Sequence, residues 1–166
     1  TANRCMIGGM VGNNSCGSTS IVYGSTRDHA LELRCILSDG SVAVFNELQH
    51  SAFQQKLKLL SLEGEIYRHF DHLLSQETVR QEIATGFPKP SIHRRNTGYA
   101  IDLLARTAPF VDNGPNFNFC QLLCGSEGTL AFTTEIKLSL DPLPSPAEAL
   151  VCVHFSDLDE SLRAVP

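Results

Sequence analysis

Between Leu31 and Val44 the chain alternates. Leu31, Leu33, Cys35 and Leu37 are apolar, Glu32 and Arg34 stand between them, and Val42 and Val44 resume the period after Asp39-Gly40, a two-residue turn signal. A period of two centred on such a pair specifies a β-hairpin. From Ser51 to Gly86 the period changes: Phe53, Leu57 and Leu60, then Ile66, Phe70 and Leu73, then Val79 and Ile83 fall three and four apart. That spacing predicts two or three successive helices. Gly86 stands where a helix stop is expected, and Pro88 and Pro90 carry the chain away from it.

The remaining segments read by composition. Ser91 to Gly98 is a polar loop, Asp102-Leu103-Leu104 a short helical turn, and Ala108 to Asn118 a surface loop rich in Pro, Asn and Gly. After apolar Phe119 to Leu123 and the turn Gly125-Ser126-Glu127-Gly128, the β-branched run Thr129 to Leu140 predicts a long strand. Asp141 to Pro146, with three prolines, reads as a stiff linker. Ala149 to Phe155 then predicts a strand, and Ser156 the N-cap of a helix carrying Leu158, Leu162 and Val165.

Length and charge bound the function. The 166 residues allow one domain with a real core, or one domain and the start of another. Thirteen basic against eighteen acidic residues leave a formal charge of -5, which argues against a broad grip on nucleic acid or an anionic membrane. No apolar run approaches the roughly 20 residues of a membrane helix, and no signal peptide opens the chain, so a cytoplasmic location is expected. Six scattered cysteines are expected to be reduced thiols. Thr1 in place of an initiator methionine, and an end inside an amphipathic pattern, suggest a piece of a longer protein.

Two glycine-rich stretches lie more than a hundred residues apart: Ile7-Gly8-Gly9-Met10-Val11-Gly12-Asn13-Asn14, and Gly125-Ser126-Glu127-Gly128-Thr129-Leu130. Glycine lets main-chain N–H groups approach phosphate oxygens, and a helix beginning at such a turn adds the positive end of its dipole. A pyrophosphate suits the first stretch, although glycines at tight turns are also common for purely structural reasons. Glu32 follows Gly12 at about the spacing of a ribose-binding acid in a Rossmann unit. Yet the order Gly-Gly-x-x-Gly lacks one residue of that motif, and Glu32 falls on the polar face of a hairpin strand. No Gly-x-x-x-x-Gly-Lys-Ser/Thr loop is present.

Read together, Cys5 to Gly17, Tyr23-Gly24-Ser25-Thr26-Arg27-Asp28, Leu37 to Val42, Gly98-Tyr99 with Asp102-Leu103-Leu104, and Gly125 to Leu130 with Thr133-Thr134-Glu135 form five motifs in one order. In that order they resemble the FAD-linked oxidases of the vanillyl-alcohol-oxidase type, near the D-lactate dehydrogenase and glycolate oxidase branch. The resemblance implies an α+β fold: the second subdomain of a PCMH-type FAD-binding domain, mainly antiparallel sheet with flanking helices and a helical insertion at about 48–90. It implies that residues 1–141 form that subdomain and that 142–166 are a linker and the start of a substrate-binding cap. Ile7, Gly8, Gly9, Gly12 and Asn13 would line the pyrophosphate and flavin ring of FAD. Tyr23, Gly24, Arg27 and Asp28 would fix the same wall, and Gly128, Thr129 and Phe132 would lie along the adenosine side. Two departures stand out: Met6 in place of a threonine, and Ala131-Phe132 in place of a glycine and an aliphatic residue. The implied activity of the intact protein is oxidation of a 2-hydroxy acid such as D-lactate, glycolate or D-2-hydroxyglutarate by hydride transfer to FAD, with an electron acceptor as further partner. No catalytic or metal residue is assigned within these residues, and a non-catalytic FAD-fold subunit or interaction module is the alternative.

Other groups invite weaker readings. His93-Arg94-Arg95 is the densest positive cluster; it suits either phosphate or hydroxy-acid attraction or a solvated loop. Cys120 and Cys124 are one helical turn apart without a second ligand pair, which favours buried thiols over a metal site. His69 and His72 beside Asp71 read as a polar helix face, and Glu127 as a cap for the backbone of its turn.

Overall fold

A computed structural model describes residues 4–89, 91–92, 98–143, 147 and 149–165. Three short helices open the chain, α1 (Ile7–Asn13), α2 (Ser20–Tyr23) and α3 (Thr26–His29), followed by strands β1 (Ala30–Ile36) and β2 (Val42–Leu48). Three more helices come next, α4 (His50–Lys56), α5 (Leu62–Ser75) and α6 (Glu77–Gly86). The remaining elements are α7 (Ile101–Leu104), β3 (Phe117–Asn118), α8 (Cys120–Leu123), β4 (Phe132–Leu138) and α9 (Leu158–Arg163). The strands form one sheet in the order β3-β2-β1-β4 with every pair antiparallel. This is the expected α+β arrangement of an antiparallel sheet with flanking helices.

The hairpin closes differently from the two-residue turn that Asp39-Gly40 suggested. Ile36 pairs with Val42, the Leu37 amide donates to the Ser41 carbonyl at 2.9 Å, and the Gly40 amide donates to Leu37 at 3.0 Å. The loop is therefore Ser38, Asp39 and Gly40, with Gly40 left-handed at φ 83, the three-residue form of hairpin connection. One residue more in the loop turns β2 over. Ala43 and Phe45 consequently meet Leu33 and Cys35 in the core, while Val42 and Val44 face outward, 53% and 37% exposed. On that outer face Val42, Ile36 and Phe132 stand in one row across three strands.

The inner face is covered by the helical segment, which shares the sheet's core. Phe53 of α4 and Tyr67 of α5 are fully buried against Phe117 and Phe119, with ring centroids 4.8 Å apart for Phe53–Phe117 and for Tyr67–Phe119. The buried stripe of α5 runs through Gly64, Tyr67 and Leu74, one residue offset from the expected Ile66, Phe70 and Leu73; Ile66 and Phe70 pack at its flank. The ring of Tyr67 fits this aromatic cluster, but its hydroxyl is buried without a hydrogen-bond partner among the described residues, and burial raises the phenol's pKa. Tyr67→Phe is accordingly expected to leave stability unchanged or raise it by about 1 kcal/mol, because an unpaired buried hydroxyl opposes folding. A urea titration checks this.

Cys35, Cys120 and Cys124 are buried thiols and Cys152 is an exposed one. Burial pushes the Cys120 thiol up to about 12 and the Cys124 thiol up to about 11. Both stay protonated near neutral pH, and the thiolate is the nucleophile. Iodoacetamide at about pH 8 is expected to label Cys152 within minutes and to spare Cys120 and Cys124 until the fold opens; peptide mass spectrometry reads the difference.

Three other expectations change. β4 is shorter than Thr129 to Leu140, because Gly128 to Ala131 remain in the turn. Residues 149–155 run without strand pairing among the described residues, with Leu150 93% exposed. The cap of α9 is Asp157, whose carboxylate accepts the Glu160 amide at 2.8 Å, while Ser156 Oγ donates to the Glu160 carboxylate. Among the described residues no helix is long and apolar enough to cross a membrane.

Candidate functional site

The first glycine stretch folds as α1. Met6 is extended before it and makes no side-chain cap, so among the described residues no side chain caps the first-turn N–H groups. Side chains built on Gly8 or Gly9 would meet nothing within 4 Å. Their bareness therefore serves no internal packing; it leaves the amide end of the helix open from outside. The helix ends at Asn14, left-handed at φ 49, whose amide returns to Val11 and Met10. The Asn14 side chain is buried and accepts the Arg27 amide at 2.8 Å.

The second stretch packs directly against the first. The Gly125 amide donates to the Val11 carbonyl at 3.0 Å and the Glu127 amide to the Gly12 carbonyl at 2.9 Å. Asn13 Nδ2 donates to Glu127 Oε1 at 2.9 Å. Arg27, 6% exposed, reaches across from α3 and donates Nη2 to the Cys124 carbonyl at 2.5 Å. Gly125 must lack a side chain here, since a Cβ would lie 2.8 Å from that nitrogen, and its φ of 93 is one that other residues resist. The positive guanidinium also lowers the Cys124 thiol pKa, against the larger upward effect of burial.

A third segment joins the same place. The Tyr99 hydroxyl lies 2.7 Å from Thr129 Oγ1, and Thr129 Oγ1 donates to the Ser126 carbonyl at 2.5 Å. Threonine has one hydroxyl proton, so that proton goes to Ser126 and Tyr99 is the donor to Thr129. The hydroxyls thus run in the order Tyr99 to Thr129 to Ser126.

The candidate residues thus fall into three groups. Gly12, Asn13, Gly128 and Thr129 meet where the two bends join, with Ile7, Gly8 and Gly9 at the open start of the same short helix. Tyr23 and Gly24 lie across α2 and α3, where Gly24 lines two recesses of about 670 Å³ and about 310 Å³. Phe132 stands apart, 71% exposed on the outer face of the sheet. One expectation needs refining: the amides of Gly125 and Glu127 are taken up by carbonyls of the first bend, so they do not point at a ligand. Glu127, left-handed at φ 53, holds Asn13 through its carboxylate, and among the described residues no cap of its own turn by that carboxylate is seen. His93, Arg94 and Arg95 lie outside the described residues.

Sequence reasoning passed over two features. The capping box of α3, in which Ser25 and Asp28 bond each other's backbone, is legible as Ser-x-x-Asp. The His29 ring, bonded to the Tyr23 carbonyl and Ser139, carries no sequence signal because its partners lie at both ends of the domain.

Residues 1–46 match the family described as FAD binding domain. The chain is 36% identical over 163 residues to a D-2-hydroxyglutarate dehydrogenase of Pseudomonas putida, covering 98% of this chain. It is 35% identical over 166 residues to the D-2-hydroxyglutarate dehydrogenase of Escherichia coli K12, and 34% over 166 residues to that of Pantoea ananatis, each covering 100% of this chain. The chain spans about 15% of the length of these relatives. No solved structure matches it. With the FAD binding domain match over the first bend and hairpin, and end-to-end similarity beyond it, the chain belongs to the FAD-linked oxidase family, whose cofactor is FAD.

Proposed function

We propose that these residues form part of the cofactor cradle of a flavin-dependent dehydrogenase that oxidises a 2-hydroxy acid, with D-2-hydroxyglutarate the first candidate. The observation that carries the reading is the junction of the two bends, held by the bonds from Gly125 to Val11 and from Glu127 to Gly12, beside an uncapped helix start with bare glycines. A diphosphate-bearing coenzyme fits such a place, because the open amides of Ile7, Gly8 and Gly9 complement anionic oxygens. Gly12 and Asn13, bonded to Glu127, then hold that helix against the second bend, and Gly128 and Thr129 stand beside the junction. Tyr23 and Gly24 line the neighbouring wall. Phe132 faces elsewhere in this arrangement, and its adenosine role rests on the family resemblance alone.

Bound FAD would supply the hydride acceptor, while the hydroxyl proton of the substrate leaves to a base. No base is assigned among these residues. Their work is binding and orientation. Residues 1–141 are proposed as the second FAD subdomain and 142–166 as linker and beginning of the cap, with an electron acceptor as further partner and the cytoplasm, suited to free thiols, as location.

The full-length protein tests this. It is expected to purify yellow, and its flavin absorbance to bleach under anaerobic conditions with D-2-hydroxyglutarate, more slowly or not at all with D-lactate or glycolate. A colourless protein that takes up no FAD on reconstitution would sink the cradle. A yellow one that none of the three acids bleaches would favour a non-catalytic FAD-fold module.

A further inference from the structure

The side chain of His29 closes a gap between the two ends of this domain. It belongs to the last residue of α3, and its Nε2 lies 2.6 Å from the Tyr23 carbonyl and 3.5 Å from Asp141 Oδ2. Carbonyl and carboxylate both accept, so Nε2 carries a proton. Its Nδ1 lies 3.2 Å from Ser139 Oγ, and that hydroxyl in turn donates to the His29 carbonyl at 3.4 Å. With the serine proton directed there, Nδ1 is the donor to Ser139, and a doubly protonated ring satisfies every partner. The main chain runs the same way, since the Ser139 amide donates to the His29 carbonyl at 2.9 Å. Asp141 opens the proline-rich segment that leads away from β4. All four residues, His29, Tyr23, Ser139 and Asp141, line the recess of about 310 Å³ next to Gly24.

We propose that His29 is a positioning residue that ties the outgoing chain at Asp141 to the Tyr23–Gly24 wall, and that its protonation tightens the tie. The proposal rests on the reading that this wall belongs to the flavin cradle. The ring is largely covered, at 23% side-chain exposure, against 45% for Asp141. Among the described residues Asp141 is its charged partner. On its own helix Asp28 is turned to the backbone and hydroxyl of Ser25, and Arg27 points inward to Cys124. α2 presents only the Tyr23 carbonyl, the end of β4 presents Ser139, and Cys16 and the Tyr23 side chain complete the titratable groups of the recess. Losing the ring's charge removes the attraction to Asp141 and lets Ser139 turn its proton to Nδ1, leaving the Tyr23 bond in place. The tie is therefore firmer on the acid side of the range in which imidazoles change charge, about pH 5 to 8.

Hydrogen–deuterium exchange of the full-length protein, corrected for intrinsic rates, reads the tie in a peptide spanning Leu138 to Leu143. Wild type is expected to show several-fold more protection at about pH 5.5 than at about pH 8. H29Q, which keeps a neutral donor for the Tyr23 carbonyl, and D141N, which changes only an exposed carboxylate, are each expected to give the same protection at both pH values. Wild type without a pH dependence, or an unchanged dependence in both variants, would overturn the proposal. The exchange measurement needs neither flavin nor turnover, so a protein that fails to bind FAD contradicts the proposed function and leaves the tie to be judged on its own readout.

Discussion

Arg27→Met is expected to cost about 2 to 3 kcal/mol of folding stability and to lower the FAD content of the purified protein at least tenfold. Methionine keeps the length and much of the packing of the stem. It removes the one group that reaches from α3 to the Cys124 carbonyl. That carbonyl is left buried without this donor, while the two main-chain bonds and the Asn13–Glu127 contact between the bends remain. Urea unfolding gives the stability change, and the ratio of flavin to protein absorbance gives the cofactor loss. Without the cation the Cys124 thiol pKa is pushed higher still, but this buried thiol is reached only when the fold opens, so its alkylation is expected to speed up with the loss of stability. A variant as stable and as yellow as wild type would show that Arg27 does not brace the bends.

Gly64→Ala is expected to be destabilising by about 3 kcal/mol, against the sign of helix propensity. Alanine in a helix is normally favoured over glycine by about 1 kcal/mol. At this position a Cβ would stand 2.1 Å from the Leu59 carbonyl oxygen and 2.7 Å from its carbon. Backbone atoms cannot give way as a flexible side-chain end can, and this stretch is also clamped by Arg68, whose Nη1 donates to the Leu57 carbonyl at 2.9 Å and the Leu59 carbonyl at 2.6 Å. Moving Leu59 would disturb that clamp and the seat of α5 on the sheet. The steric term therefore exceeds the propensity term. Thermal and urea unfolding of the variant measure the balance, and a stabilised Gly64→Ala would mean that the connection relaxes without loss.

What the sequence disclosed depended on whether the signal was local. The helix periods from Ser51 to Gly86 and the alternation around Asp39-Gly40 are local, and the elements are found there. The parity of the hairpin is not: Asp39-Gly40 suits a two-residue loop as well as the last two positions of a three-residue one. Only the cross-strand pairing decides which face Val42 and Val44 take. β3 is two residues long and lies inside a loop-like composition, so it exists only by pairing with β2. Residues 149–155 show the reverse, an apolar run without strand pairing among the described residues. At the site, clustered glycines disclosed both bends. The family resemblance sets Arg27 at the cofactor wall, and only the fold shows it buried and bonded to the Cys124 carbonyl. His29 and Asp141 are more than a hundred residues apart, and no pattern along the chain links them.

The aromatic packing of α4 and α5 on the sheet bears on how this family can be shortened. A segment that resembles an optional inset has become the floor on which the strands rest: Phe53 and Tyr67 fill space that Phe45, Phe117 and Phe119 would otherwise expose to water. Splicing β2 straight to the residues after Gly86 would not yield a smaller version of the same protein. It would yield an open half-sheet, prone to stick to its own kind, because the inward side chains of the strands are covered by these helices.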